Sequence, residues 1–205
     1  MLRTLLFAVT LIATSAQGAT APDEIVRTTS EKLSQTIRDR HAEFKAKPAV
    51  YYAVVEDIVV PRFDLRYIAQ LILARNWKEA NDDQRERFQI AFKNMLIRSY
   101  ANTLLDFNDS VKPEWQPLRL LPEDTDVTVK SRLLRKTGPP VAIGFAMRLK
   151  NDEWKVYDIT VESISLVSSF RSQAAAEIKK VGIDGLIQKL EKGDGFGKPA
   201  TDKNA

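Results

Sequence analysis

The sequence predicts an α+β fold in which a bent, four-stranded antiparallel sheet packs against several helices and encloses an apolar space. Three observations lead to this prediction. Apolar residues recur at helical spacing through the first half of the chain, up to about residue 107. Apolar and polar residues then alternate between Trp115 and Val161, with the short turns typical of hairpins. Helical spacing returns from about Ser165 onward.

The composition is that of an ordinary globular domain, and it excludes several kinds of site. Of the 205 residues, 44% are hydrophobic and 28% are charged, which suffices for one sizeable core. The net charge of +4 is far below that of a polybasic surface, so we expect no nucleic-acid partner. The chain has no cysteine and one histidine, His41. Disulfides, thiolate metal sites and a cysteine nucleophile are therefore excluded, and we expect no metal site.

Residues 1–19 have the pattern of an export signal peptide. Arg3 provides a positive charge, Leu5 to Ala13 form a short apolar run, and small residues up to Ala19 offer a cleavage point. The apolar run is shorter than the roughly 20 residues that cross a bilayer, although an uncleaved N-terminal anchor is the alternative. We therefore predict a signal peptide at residues 1–19, one folded domain at residues 20–192 and a disordered tail at residues 193–205.

Three helices are expected before the longest apolar stripe of the chain. The first runs from Pro22 to about Ala46, and a proline suits its first turn. The second follows Pro48, and Pro61 stops it because a proline cannot continue a helix. Asp64 is placed to cap the third helix, which leads into a polar turn.

The fourth predicted helix begins at Asn81, which forms a capping box with Gln84, and it ends near Phe107. Its apolar stripe consists of Phe88, Phe92, Met95, Leu96, Tyr100, Leu104 and Phe107. Such a stripe suits a central core helix, and it equally suits a helix that lines an apolar ligand pocket. The sequence leaves these two interpretations open.

Four strands follow, and short connections make them antiparallel neighbours. They are predicted at Trp115 to Leu121, Asp126 to Arg135, Val141 to Lys150 and Trp154 to Val161. A basic set shares the polar face of the two middle strands, and it consists of Lys130, Arg132, Arg148 and Lys150. This set is either an ordinary solvated face or a docking surface for an acidic partner or a lipid head-group layer.

The last strand leads directly into a helix that covers about Ser165 to Lys180, and a short final helix follows Gly182. Asp158 near the strand end and Arg171 in the helix are placed to form an ion pair across the bend. The alternative is that Asp158 acts as a general base in an apolar pocket. We favour the ion pair, because the sequence offers no second proton-carrying group and no Ser-His-Asp arrangement.

The stretch from Trp154 to Gln173 resembles the signature of the toluene-tolerance (MlaC-like) family. The resemblance also covers Pro61-Arg-Phe-Asp64, Asn76-Trp77, Gln84-Arg-x-x-Phe88 with Phe92, Leu96 and Tyr100, and Gly182-x-x-Gly-Leu-Ile. The chain departs from the family pattern at Ser163, where Gly is common, at Phe170, where Tyr is usual, and at Ala174, where Phe is usual. These departures bear on the size of a pocket and on lipid preference.

The resemblance implies a periplasmic phospholipid-binding shuttle protein that helps maintain outer-membrane lipid asymmetry. It implies an NTF2-like cone at residues 20–192 whose interior holds acyl chains, with phospholipid as cargo and with no cofactor and no catalytic group. It also implies two exchange partners. One is an inner-membrane ABC transporter complex with an MCE-domain ring, and the other is an outer-membrane lipoprotein–porin complex.

A two-tailed lipid needs an enclosed apolar site, because each methylene removed from water contributes about 0.8 kcal/mol and the two tails need roughly 20–25 kcal/mol of shielding. We expect the lipid-binding residues to be Leu96, Tyr100, Leu104, Val129, Ile143, Phe145, Met147 and Ile159. Two alternatives remain open. One is an isomerase- or hydrolase-like pocket enzyme that uses Asp158, and the other is an interaction module that shields apolar segments of envelope proteins.

Overall fold

A computed structural model describes residues 19–107 and 111–196, in which helices precede and follow one antiparallel sheet. The helices before the sheet are α1 (Pro22–Ala46), α2 (Pro48–Ile58), α3 (Leu65–Leu73), α4 (Asn76–Glu79) and α5 (Asp82–Phe107), with a 3-10 turn at Val60–Arg62. The sheet is formed by β1 (Val111–Trp115), β2 (Asp126–Arg135), β3 (Val141–Lys150), β4 (Glu153–Val161) and β5 (Ile164–Ser165), and α6 (Leu166–Lys192) follows it. The α+β prediction is confirmed. The predicted signal peptide, apart from residue 19, and the tail from residue 197 lie outside the described residues.

The predicted helix starts have the capping bonds that their sequences indicate. The Asp64 carboxylate accepts a hydrogen bond from the Tyr67 amide at 3.2 Å. Asn81 and Gln84 form the reciprocal capping box, with bonds of 2.8 and 3.0 Å. The polar turn predicted after α3 is instead the one-turn helix α4. These caps satisfy amides that have no partner within the helix, so local sequence alone defines these boundaries.

The sheet is an antiparallel meander in the order β1-β2-β3-β4-β5, with five strands instead of four. The prediction for the first strand was wrong, because β1 ends at Trp115 where we expected it to begin. Beyond Trp115 the run contains Pro117, which has no amide to donate, and Leu120 and Leu121, which are exposed. The added strand β5 is two residues long and pairs with the end of β4.

A two-residue turn joins β4 to β5. Glu162 and Ser163 both have positive φ angles, 48° and 68°. The Glu162 carboxylate accepts a hydrogen bond of 2.5 Å from the Ala142 amide and so holds the turn against β3. Glycine adopts this left-handed conformation at less cost than serine. The backbone thus gives a physical reason for the glycine expected at position 163.

A bulge in β4 changes which residues share a face of the sheet. Met147 pairs with Val156 and Ala146 pairs with Asp158, so Tyr157 has no partner across the strands. Side chains alternate on each side of the bulge, but the extra residue inverts the alternation. Trp154 and Val156 before the bulge therefore lie on the same face as Ile159 and Val161 after it.

Helices contact both faces of the sheet. Val26 of α1 packs against residues of one face, among them Val129, Met147 and Val156. On the opposite face, Lys150 of β3 pairs with Asp64 beside α3, and Asp158 caps α6. The main core lies between α3, α5 and α6, and a second cluster joins α1, α2 and α5. Among the described helices, none has the length and apolar character needed to cross a membrane.

Candidate functional site

One face of the sheet is almost entirely apolar, and we call it the apolar face. Because side chains alternate along a strand, the pairing register decides which residues share it. Its central rows across β2, β3 and β4 are Val127–Met147–Val156, Val129–Phe145–Ile159 and Ser131–Ile143–Val161. Around these rows it carries Val111, Pro113, Trp115, Leu133, Arg135, Val141, Leu149 and Trp154. Arg135, at the hairpin end, is the one charged side chain among these strand residues.

The cover over the apolar face is uneven. Near the start of β2, Val26 of α1 packs on it, and Val129 and Met147 are 1% and 0% exposed. Towards the hairpin between β2 and β3, apolar side chains stay in partial contact with solvent. These partly exposed residues are Val111, Trp115, Leu133, Val141, Ile143, Phe145, Ile159 and Val161. A partly covered apolar surface of this kind is typical of a ligand or partner site.

The register brings together the predicted lipid-binding residues that lie on strands. Val129, Ile143, Phe145, Met147 and Ile159 all share the apolar face. The three predicted lipid-binding residues on α5 do not lie on this face. Leu96 and Tyr100 are partly buried against the core of α3, α5 and α6, and Leu104 is 46% exposed. The role of all eight as lipid contacts stays a prediction.

Among the grooves of the described surface, two lie away from the apolar face. The larger, about 660 Å³, lies between α1 and α2, and the smaller, about 290 Å³, lies between α5 and α6. The larger groove is lined by Lys32, Thr36, Arg40, Ala49, Val50, Ala53, Val54, Asp57 and Ile58. None of the eight predicted lipid-binding residues lines either groove. The partly exposed side chains of the apolar face thus belong to a surface separate from these two grooves.

Ser131 is a polar residue at an apolar position of this face, and we did not single it out from the sequence. It is 2% exposed, and its hydroxyl has no hydrogen-bond partner among the described residues. Its neighbours across the strands are Trp115 of β1 and Ile143 of β3. The signal in the sequence was the alternation Val127, Val129, Ser131, Leu133, in which serine interrupts an apolar series.

The predicted ion pair between Asp158 and Arg171 does not form, because each group has another partner. Asp158 accepts hydrogen bonds from the Ser165 hydroxyl at 2.5 Å and from the Val167 amide at 3.0 Å, and so caps the start of α6. Arg171 donates from Nε to the Leu71 carbonyl in the last turn of α3, at 2.6 Å. Helix starts present free amides and helix ends present free carbonyls, which compete with a direct ion pair.

The basic set of the opposite face divides into two pairs. The Arg148 guanidinium lies 4.1 Å from the centre of the Tyr67 ring, and Lys150 binds Asp64 at 3.1 Å. Both contacts hold the sheet to α3. Lys130 and Arg132 are exposed on the part of the sheet nearer β1. This second pair is therefore exposed to solvent without a contact to α3.

Tyr157, the bulge residue, also links the sheet to α3. Its hydroxyl donates a hydrogen bond of 3.0 Å to Asp126 of β2, and its ring makes a T-shaped contact with that of Tyr67 beside it on α3, with ring centres 5.5 Å apart. Burial, and next the hydrogen bond to Asp126, raise the pKa of Tyr157 to about 12. Tyr157 therefore stays protonated and serves as a brace between layers, away from the apolar face.

Comparison with known proteins gives consistent results over nearly the whole described chain. The family model described as MlaC protein matches residues 27–192. Intermembrane phospholipid transport system binding protein MlaC of Haemophilus influenzae is 24% identical over 184 residues, which cover 88% of this chain and 86% of that relative. Toluene tolerance protein ttg2D of Pseudomonas putida is 26% identical over 185 residues, covering 88% and 82%.

A solved structure has the same fold. It is that of the phospholipid-binding protein from Ralstonia solanacearum in complex with a phospholipid. It is similar with a TM-score of 0.78 and 29% sequence identity, over 87% of this chain and 100% of the other. The names of these three proteins describe binding, transport or tolerance, and none describes an enzyme.

Proposed function

The chain belongs to the MlaC protein family, and from this we propose that it binds a phospholipid and carries it between membranes. The observation that carries the proposal is the likeness to the Ralstonia protein, which was solved with a phospholipid bound. With a TM-score of 0.78 and 29% identity over 87% of this chain, the two share their fold and close to a third of the aligned residues. A shared fold that holds lipid in one protein supports lipid as the cargo of the other.

The apolar face supports the same proposal on physical grounds. Acyl chains need contact with many apolar side chains, because their transfer out of water contributes about 0.8 kcal/mol per methylene. Ile143, Phe145 and Ile159 are partly exposed side by side and provide one wall for such chains. The groove between α1 and α2 supports this less well, since Lys32, Arg40 and Asp57 are among its lining residues.

We propose the periplasm as the location, and transfer between the outer and inner membranes in maintenance of outer-membrane lipid asymmetry as the role. The export signal expected at residues 1–19 supports this location. Family membership supports the two expected partners, the ABC transporter complex with an MCE-domain ring and the lipoprotein–porin complex. Lys130 and Arg132 are exposed cations that could contact such a partner or lipid head groups.

We further propose that the protein has no catalytic step and no cofactor, with phospholipid as cargo only. The enzyme alternative depended on Asp158 as a base facing a pocket. Its two oxygens accept bonds from Ser165 and Val167, an arrangement that suits a helix cap. This arrangement supports a binding protein over a pocket enzyme.

Lipid extraction tests the proposed function. The mature protein is purified from cells, treated with organic solvent, and the extract is identified by mass spectrometry. We expect about one phospholipid per protein, because a carrier removed from its membranes retains its cargo. An empty protein that also takes up no labelled phospholipid from vesicles would exclude the carrier function.

A further inference from the structure

The buried hydroxyl of Ser131 lies on a face of β2 where the neighbouring positions, Val129 and Leu133, are apolar. Val127, Val129 and Leu133 occupy the same face of β2, and an alanine at position 131 would continue the series. Ser131 is 2% exposed and its oxygen has no hydrogen-bond partner among the described residues. A buried hydroxyl without a partner destabilises the fold that holds it. Its presence therefore calls for a partner beyond the residues that the structure describes.

The position of Ser131 on the apolar face indicates where that partner would lie. It lies in the row next to the one that contains Val129, on the side away from the cover provided by α1. The residues that flank it on β1 and β3, Trp115 and Ile143, are partly exposed. A ligand lying on the partly exposed end of the face would therefore reach Ser131 once these larger side chains separate.

We propose that the Ser131 hydroxyl donates a hydrogen bond to an ester carbonyl oxygen of the bound phospholipid, an inference that rests on the proposed lipid-binding function. The ester carbonyls lie where the acyl chains join the glycerol, and they are neutral acceptors bordering the hydrocarbon. A serine hydroxyl is a neutral donor of matching kind. The phosphate group is a poorer candidate, because an anion bound at Ser131 would lose its contact with water at a high free-energy cost. Arg135 is the one cation among the strand residues of this face that could offset this cost.

The hydrogen bond would set the depth at which the lipid lies on the face. Apolar contacts alone are non-directional, so acyl chains could slide along the rows of Ile143 and Phe145. A single polar contact at a fixed position adds directionality, as polar groups do in otherwise apolar ligand sites. Ser131 would thus place the glycerol junction at one row of the sheet and leave the chains on the apolar side chains.

Competition between ester and ether lipids tests this inference. Vesicles contain equal amounts of a diacyl phospholipid and its dialkyl ether analogue, with the same head group and chain length, and the ether analogue lacks both carbonyls. The protein is incubated with these vesicles and reisolated, and both bound lipids are quantified by mass spectrometry. We expect the wild-type protein to bind the ester lipid about three- to tenfold in excess, as one hydrogen bond between neutral groups provides.

The variant Ser131→Ala should bind both lipids in nearly equal amounts, because the hydroxyl that distinguishes them is gone. Ser172→Ala is the matched control, since its hydroxyl bonds within α6 to the Ser168 carbonyl. It should keep the wild-type ratio. Without lipid, Ser131→Ala should also unfold at a higher temperature than the wild type, because it no longer buries an unpartnered hydroxyl.

Two results would overturn the inference while leaving the carrier function intact. One is a wild-type ratio equal to that of the vesicles, which is informative even if the variant fails to fold. The other is an undiminished ester preference in Ser131→Ala. Failure of the wild-type protein to take up either lipid would instead exclude the proposed function, and this inference with it.

Discussion

Replacing Phe145 with aspartate separates the effect on lipid binding from the effect on the fold. Phe145 lies in the central row of the apolar face between Val129 and Ile159, with its ring centre 6.1 Å from that of Trp115. Its side chain is partly exposed. The fold should therefore lose less than the about 3–5 kcal/mol that truncation of a fully buried Phe costs. An aspartate there also stays in contact with water as long as no ligand covers it.

Lipid binding should suffer much more than folding does. Acyl chains on the apolar face would cover the carboxylate of Phe145→Asp and remove it from water. An unpaired charge buried in this way costs several kcal/mol. Taking about 3 kcal/mol as a low value, the affinity for lipid falls by about two orders of magnitude. The conservative variant Phe145→Leu keeps an apolar surface and should load nearly as the wild type does.

Uptake of labelled phospholipid from vesicles measures the effect, and circular dichroism during heating measures the fold. Thr128→Asp is the matched control, because Thr128 is exposed and lies on the opposite face of β2, paired with Ala146. It should load normally. If Phe145→Asp is folded and loads as well as this control, the apolar face is not where lipid binds. Equal loss of loading in both variants would point to a general effect of negative charge.

The remaining predictions concern the turn after β4, the start of α6 and the pH dependence of stability. Ser163→Gly should raise the free energy of unfolding by about 0.5–1 kcal/mol in urea titrations, because Ser163 has a φ of 68°; an unchanged or lower value would contradict this. Asp158→Asn should lower that free energy by about 1 kcal/mol through a weaker cap of α6, while lipid loading stays normal; loss of loading without loss of stability would revive a direct role in the site. Burial raises the pKa of Tyr51 to about 12, above its value of about 10 in the unfolded chain. The stability that depends on a neutral Tyr51 is therefore fully present below pH 10 and is lost as the pH rises to about 12. Tyr51→Phe should flatten this loss of stability, as measured by urea unfolding at a series of pH values. It should also be more stable than the wild type by about 1 kcal/mol, because the Tyr51 hydroxyl is buried without a hydrogen-bond partner among the described residues. An equally steep loss of stability in Tyr51→Phe would assign the pH dependence to Tyr157 instead.

Local rules predicted those features of the fold that depend on a few adjacent residues. Proline geometry determines where α1 begins and ends. The cap at Asp64 and the capping box at Asn81 form because these side chains accept hydrogen bonds from the first free amides of their helices. The short connection expected between β3 and β4 turns at Asn151 and Asp152, which both have positive φ angles. Each of these interactions lies within a few residues of the chain, so the sequence contains both partners.

Features that depend on distant partners could not be predicted in the same way. The bulge at Tyr157 follows from pairing with β3 and from contacts of Tyr157 with Asp126 and Tyr67. Arg171 binds a carbonyl one hundred residues away in sequence, which spacing along the chain could not indicate. Apolar character alone likewise could not indicate which of the predicted lipid-binding residues share the apolar face and which lie on α5, because cores and apolar pockets favour the same side chains.

The bulge at Tyr157 divides β4 into two segments with opposite parity. In the first segment the even-numbered Trp154 and Val156 must be apolar, whereas in the second the odd-numbered Ile159 and Val161 must be. Restoring regular alternation by deleting Tyr157 would send one of the two pairs to the other side of the sheet. Tolerance of polar substitutions in β4 therefore switches from odd to even positions midway along the strand. An alignment of relatives that slides by one residue there would exchange residues of the apolar face for residues of the face that contacts α3 and α6.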